Sequence, residues 1–155
     1  MNTDLLVVNN VADLRAKVNS WRKEGLRTGL VPTMGALREG HLSLVRKALE
    51  HTDKAIVSIF VNPTQFAPDE DFAKYPRQEE EDCKLLAETG ANLVFIPATD
   101  EMYTENNSTV VKVSNVTERL EGAFRPTHFE GVATVVTKLL LQCLPDIAVF
   151  GEKDY

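Results

Sequence analysis

The sequence predicts an α/β domain, a parallel sheet with helices on both faces, on three observations. Short apolar runs alternate about five times with segments whose apolar residues recur at three- and four-residue spacing. The run Ala55-Ile56-Val57-Ser58-Ile59-Phe60-Val61 is nearly continuously apolar, as expected of a strand covered on both faces. The polar stretches that carry glycine and proline leave the ends of such runs, where open α/β sheets bind ligands.

Taken in order, residues 5–8 form an apolar run suited to a buried strand. Asn10 caps the helix that follows, with Asp13 favourably placed in its first turn. Val11, Leu14, Val18 and Trp21 make one apolar stripe, and Gly25 ends it. Residues 28–31 are the second strand, and a helix from His41 to about His51 buries Leu42, Val45 and Leu49. Asp53 marks the turn into the long strand at 55–61. Residues 62–77 are irregular, with Pro63, Pro68 and Pro76, and a loop of that length at a strand end favours function.

Residues 78–88 are helical, and Glu79, Glu80, Glu81 and Asp82 in the first turn read as complements of the helix dipole rather than as metal ligands. Gly90 closes that helix, and residues 93–96 are a strand stopped by Pro97. A short strand is expected at 109–113, and a capping box at Asn115-Val116-Thr117-Glu118 opens a short helix to Glu121. Arg125 to Gly131 reads as another polar loop. Val132, Val135, Val136, Leu139, Leu140 and Cys143 share a helical face, Pro145 breaks that helix, and 147–150 is a final strand. The whole is a Rossmann-like pattern, with the loops at 32–40, at 62–77 and from Gly151 onward on one predicted edge.

With 155 residues, 43% of them hydrophobic and 26% charged, the chain has the composition of a globular domain with one sizeable core. A net charge of −6 argues against general nucleic-acid binding, so a polyanionic ligand must be held by local positive groups. Cys83 and Cys143 form no CxxC, which indicates neither a metal site nor a disulfide framework, and Cys143 reads as buried filler. No run reaches membrane-spanning length and the N-terminus has no signal-peptide pattern, so a cytoplasmic location is expected.

The most informative stretch joins the second strand to the second helix. A helix start offers N–H groups without internal partners and partial positive charge, which suits phosphate. Gly35 and Gly40 let the backbone approach a ligand closely, and His41 stands where it would touch one. Read locally, the same pattern also fits an ordinary strand-to-helix turn with a capping histidine.

Five motifs decide between these readings. Pro32-Thr33-Met34-Gly35-Ala36-Leu37-Arg38-Glu39-Gly40-His41, Phe60-Val61-Asn62-Pro63-Thr64-Gln65-Phe66, Tyr75-Pro76-Arg77, Arg125-Pro126-Thr127-His128-Phe129-Glu130-Gly131-Val132 and Phe150-Gly151-Glu152-Lys153-Asp154-Tyr155 stand in this order. Together they resemble the pantothenate synthetase family, also called pantoate–β-alanine ligase, over essentially all 155 residues. The resemblance implies a nucleotidyltransferase-type Rossmann-like domain and a two-step, ATP-dependent ligase. Pantoate would attack the α-phosphorus of ATP to give pantoyl adenylate and pyrophosphate, and β-alanine would then displace AMP.

By motif, Met34, Gly35, Ala36, Leu37, Arg38, Glu39, Gly40 and His41 would line the ATP phosphates, with His41 as the catalytic histidine. Gly151, Glu152, Lys153 and Asp154 would contact the nucleotide, with Lys153 at the phosphates. Gln65 would hold pantoate, with Asn62 beside it, and His128 and Arg125 would contribute to the pocket. Mg2+ is implied by ATP chemistry without assignable protein ligands, and the family implies a homodimer. One departure stands out. The family usually carries His-x-Gly-His in this loop, and Arg38 occupies the first position; a guanidinium can bind phosphate but cannot hand over a proton, so proton transfer is expected to rest on His41.

The resemblance is to the N-terminal, nucleotide-binding part of the family, and the chain stops inside the loop after its last strand. A truncated chain without the family's C-terminal domain is therefore expected, acting by itself as a binding module with little or no turnover. The competing enzyme reading is a nucleotidyltransferase that moves AMP onto a phosphate acceptor, against which Gln65 and the 60–66 motif argue.

Overall fold

The computed structural model describes residues 5–65, 77–104, 109–112 and 126–151, with backbone only at 65 and 126–129. Strands β1 (Leu6–Val8), β2 (Thr28–Thr33), β3 (Lys54–Ile59), β4 (Leu93–Phe95) and β5 (Ile147–Ala148) form one sheet in the order β1-β4-β3-β2-β5. Every pairing is parallel, with Leu30 opposite Ile56 on one side and Ala148 on the other. The helices are α1 (Val11–Lys23), α2 (Glu39–His51), α3 (Glu79–Thr89), the short α4 (Thr99–Met102) and α5 (Pro126–Cys143). The chain steps from β2 outward to β3 and β4 and then returns to place β5 on the far side of β2. Strand order thus reverses between β2 and β5, the position at which open α/β sheets take ligands.

Side-chain alternation along the strands separates two cores. Leu30, Ile56, Leu93 and Phe95 face one way and pack with Leu14, Val18 and Trp21 of α1 and Val135, Leu139 and Cys143 of α5. Val31, Val57, Ile59 and Val94 face the other way and pack with Leu42, Val45 and Ala48 of α2 and Leu86 of α3. A period of two in the strands and helical stripes on both sides give the expected three layers.

The edge at the strands' N-terminal ends is stitched by short polar side chains. Asp53 Oδ2 accepts from Arg27 N, Asp146 Oδ2 from Thr28 N and Asn92 Oδ1 from Ala55 N, at 2.8–2.9 Å. These bonds satisfy strand-end donors and leave the opposite edge to the loops.

Several sequence expectations need correction. Leu6 and Val7 are 39% and 46% exposed, because β1 is an outer strand and only Val8 of the three is buried. The 28–31 strand continues through Thr33, while the 55–61 strand ends at Ile59. The helix start expected at His41 lies at Glu39, and Ala48 rather than Leu49 completes its buried stripe. Residues 109–112 form no strand. Pro126 to Gly131, read as a loop, are the first turns of α5, since proline is well tolerated at a helix start where no N–H partner is required. The short helix expected at 115–121 lies outside the described residues.

Candidate functional site

The loops leaving β2, β3 and β5 emerge side by side. Phe60 N donates to Thr33 O at 3.1 Å, and Val149 N to Leu30 O at 2.9 Å, so the polar segments begin at neighbouring points on one edge. The expected clustering of residues 32–40, the segment after Val61 and Gly151 is therefore present in the fold. Gly151 is half-buried, while Glu152, Lys153, Asp154 and Arg125 lie outside the described residues.

The β2–α2 connection is tightly held. Thr33 Oγ1 donates to Ser58 O at 2.9 Å and accepts the Gly35 N–H at 3.1 Å. Gly35 and Ala36 both take left-handed backbone angles, with φ of 87° and 52°. Glycine accepts this freely, whereas an alanine there needs outside support. That support is Asp82 of α3. Its Oδ2 accepts the Ala36 N–H at 2.9 Å and its Oδ1 accepts the Leu37 N–H at 3.0 Å. Leu37 then turns inward to the α2–α3 core, while Arg38, Glu39 and Gly40 are exposed.

Arg38 is the N-cap residue of α2, and its N–H donates to His41 Nδ1 at 3.1 Å. This is one half of a capping box; the reciprocal half would need an acceptor that a guanidinium lacks. Because Nδ1 accepts, the neutral ring carries its proton on Nε2. Glu39 and Gly40 are the first two residues of the helix, so their N–H groups have no intrahelical acceptor. Glu39 is paired with Arg46 at 2.6 Å; this hydrogen bond and the attraction between the charges lower the carboxyl pKa and raise that of the guanidinium.

Beyond β3, Asn62 is fully buried at 0% exposure. Its Nδ2 donates to Gly131 O at 3.1 Å, and its Oδ1 accepts from Thr64 N, Thr64 Oγ1 and Tyr103 OH at 3.3, 3.0 and 2.8 Å. Burial raises the Tyr103 pKa, opposed by its hydrogen bonds to Thr64 and Asn62. Asn62 thereby pins the 3-10 turn Pro63–Gln65 to α5 and to the segment after α4. Gln65 closes that turn, and His128 lies one helical turn before Gly131 in α5. The fold brings these backbone positions together, and Asn62 acts there as an internal tie.

A cleft of about 150 Å³ opens between the Met34–Gly35 turn, the end of β3, Arg77 to Glu79 and Asp82 at the start of α3, and the loop from Ile96 to Thr99. Among the described residues no group of three His, Cys, Asp or Glu side chains is arranged to hold a metal ion. Sequence reasoning missed Asp82, Tyr103 and the contact between Gly131 and the turn. For Asp82 a signal existed. Its three acidic neighbours are exposed, but Asp82 lies one turn before Leu86 on the buried stripe, at 1% exposure. The glutamates lie in the first turn of α3, as the dipole reading expects, and that reading is incomplete for Asp82.

Comparison with known proteins bears on the whole of this arrangement. The family model described as pantoate-beta-alanine ligase matches residues 6–155. A pantothenate synthetase of Paramagnetospirillum magneticum is 62% identical over 155 residues, covering 100% of this chain and 55% of the relative. One from Mesorhizobium japonicum is 60% identical over 149 residues, covering 96% and 53%. Among solved structures, a pantothenate synthetase from Thermus thermophilus superposes with a TM-score of 0.84 at 46% identity, covering 92% of this chain and 50% of that one. A pantoate-beta-alanine ligase from Francisella tularensis, complexed with beta-gamma ATP and beta-alanine, gives 0.86 at 39% identity, covering 93% and 55%. The chain spans about half the length of the relatives it matches.

Proposed function

The chain belongs to the pantoate–β-alanine ligase family, and from that premise we propose that the full protein carrying this sequence condenses pantoate with β-alanine at the expense of ATP. This sequence would form its ATP- and pantoate-binding domain. The observation that carries the reading is the shared edge at the strand-order reversal. There the capped start of α2, the Asn62-anchored turn and Gly151 lie on adjacent strand ends.

In the first step a pantoate carboxylate oxygen attacks the α-phosphorus, and the bond from that phosphorus to the bridging oxygen breaks, releasing pyrophosphate. In-line transfer asks the protein for positioning and for stabilisation of the charge that leaves. The exposed N–H groups of Glu39 and Gly40, the α2 dipole and the Arg38 guanidinium supply positive potential. His41 supplies an Nε2–H donor whose tautomer is fixed by the Arg38 backbone. Lys153 adds compact charge at the phosphates, and Met34 to Leu37 form the wall of that subsite.

In the second step the β-alanine amine attacks the acyl carbon and AMP departs. Gln65, with donor and acceptor on one side chain, suits pantoate's hydroxyls and carboxylate. Asn62 sets the position of Gln65, and His128 borders the pocket. Mg2+ would enter with ATP, held by the phosphates and water, and would help neutralise the charge on the departing pyrophosphate. A cytoplasmic homodimer that engages neither nucleic acid nor membrane completes the reading; no helix among the described residues is long and apolar enough to cross a membrane.

Pantoate-dependent exchange of labelled pyrophosphate into ATP tests the proposal in the full protein. Exchange that requires pantoate is the expected result. Exchange supported instead by a phosphate-bearing acceptor, with pantoate inert, would favour an adenylyl transfer of another kind.

A further inference from the structure

We propose that Asp82 is a positioning residue for nucleotide binding, acting through the backbone of the β2–α2 turn and touching no ligand itself. The inference rests on the functional reading above and goes beyond it, since the motifs of the loop do not include α3. The geometry is specific. One carboxylate takes two successive N–H groups, Ala36 at 2.9 Å and Leu37 at 3.0 Å, with one oxygen for each. Gln78 Nε2 donates to Oδ1 at 3.3 Å, and the group is 1% exposed, so water does not compete for these bonds.

The consequence for a ligand follows by elimination along the loop. The N–H groups of Gly35, Ala36, Leu37 and Arg38 are all engaged inside the protein, by Thr33 Oγ1, by Asp82 twice and by His41 Nδ1. Four successive backbone donors are thus withheld from phosphate. Contact with the anion then falls on what the turn presents next, the exposed residues Arg38, Glu39 and Gly40 and the helix start they form. Asp82 also maintains a left-handed alanine, φ 52°, in a turn where the preceding glycine leaves little room. A Cβ at Gly35 would lie 3.3 Å from Asp82 Oδ2 and 3.1 Å from Ile59 Cγ2. The carboxylate occupies the inside of the turn as an internal anion, and the turn in that shape aims α2 outward.

The test uses the full protein carrying this sequence, with MgATP as the probe. Amide hydrogen exchange on the wild type comes first: Ala36 and Leu37, though in a loop, are expected to be protected like Ala55 in β3. Exchange at loop rates would overturn the proposal without any variant. Asp82→Asn keeps the shape but turns one acceptor into a donor, so at most one of the two N–H groups keeps its partner. The expected result is faster exchange at Ala36 and Leu37, unchanged protection at Ala55, and MgATP binding weakened by about tenfold. Adding Ala36→Gly makes the left-handed angle inexpensive and is expected to recover part of that affinity, which a loss confined to α3 packing would not allow. Unchanged affinity in Asp82→Asn, or no recovery in the double variant, would overturn the proposal. If the wild type binds no MgATP the functional reading fails separately, and the exchange at Ala36 and Leu37 still decides whether Asp82 holds the turn.

Discussion

The backbone N–H of Arg38 donates to Nδ1 of His41 at 3.1 Å, so this nitrogen serves the fold and Nε2 is the one the proposed chemistry would use. Asparagine places its oxygen near the Nδ1 position but does not reach as far as Nε2. His41→Asn is therefore expected to keep the α2 start intact while pantoate-dependent pyrophosphate exchange falls about a hundredfold or more. His41→Ala loses both, with a further stability cost of about 0.5–1 kcal/mol for the missing cap. Thermal melts beside exchange rates separate the two roles, and full activity in His41→Asn would remove His41 from the chemistry.

Arg38 accepts nothing with its side chain and stands exposed at the head of α2. Its contribution is expected to be charge. Arg38→Ala should raise the KM for ATP about tenfold, with an effect that shrinks as salt rises. Arg38→His should leave kcat within about threefold, because His41 already provides the donor. A much larger gain in kcat for Arg38→His would mean that the arginine handicaps the site.

Asn62 belongs to the motif that implies substrate contact, yet its amide is consumed by Gly131, Thr64 and Tyr103. Asn62→Ala strands several buried polar groups and is expected to destabilise the fold by about 2–3 kcal/mol. Its kinetic signature should be a raised KM for pantoate through a loosened Pro63–Gln65 turn. A variant with wild-type stability and a selective loss of kcat would point to direct contact instead.

Gly131 carries the same joint from the other side. A Cβ there would sit 2.6 Å from Thr64 O, and a backbone carbonyl cannot rotate away as a side chain would. Alanine gains about 1 kcal/mol of helix propensity over glycine, but overpacking costs about 1–3 kcal/mol and forces the turn to move. Gly131→Ala is expected to lower thermal stability and to weaken pantoate more than ATP. Unchanged kinetics for both substrates would show that the turn moves without consequence.

What the sequence made legible follows from what is local. The sheet, its two-sided burial and the clustering of loops follow from period-two and helical patterning, and Leu30 against Val31 or Ile56 against Val57 shows that pattern separating the two cores. The exposure of Leu6 and Val7 was not legible, because an outer and an inner strand can carry the same apolar run. Nor were the ties made by Asp82 and Asn62. Asp82 reaches across 46 residues to Ala36 and Asn62 across 69 to Gly131, and short polar side chains give no periodic signal of a distant partner. The helical start at Pro126 was hidden for a different reason, since proline and glycine within six residues read as loop until packing on the Thr64 turn makes a helix there the better solution.

Cys143 gives the pH dependence. Burial among the α1–α5 core raises the thiol pKa from 9.0 to about 12, opposed by the nearby Arg22 charge. In the unfolded chain the thiol ionises near its ordinary value, so between pH 9 and 12 the unfolded state releases a proton that the folded state keeps. Stability from this group is therefore full below pH 9 and declines above it, by at most about 1.4 kcal/mol per pH unit. Cys83 and Tyr103 also have raised pKa values and push in the same direction, so the absolute slope does not isolate Cys143. The comparison with Cys143→Ala does. Urea unfolding at pH 8, 9 and 10 is expected to show the wild type losing about 1 kcal/mol more than the variant across the last step. The same burial should keep Cys143 unreactive toward iodoacetamide at pH 8 until urea opens the core. Parallel pH slopes for the two proteins would mean that water reaches the thiol in the folded state and that the α1–α5 core is looser than its packing indicates.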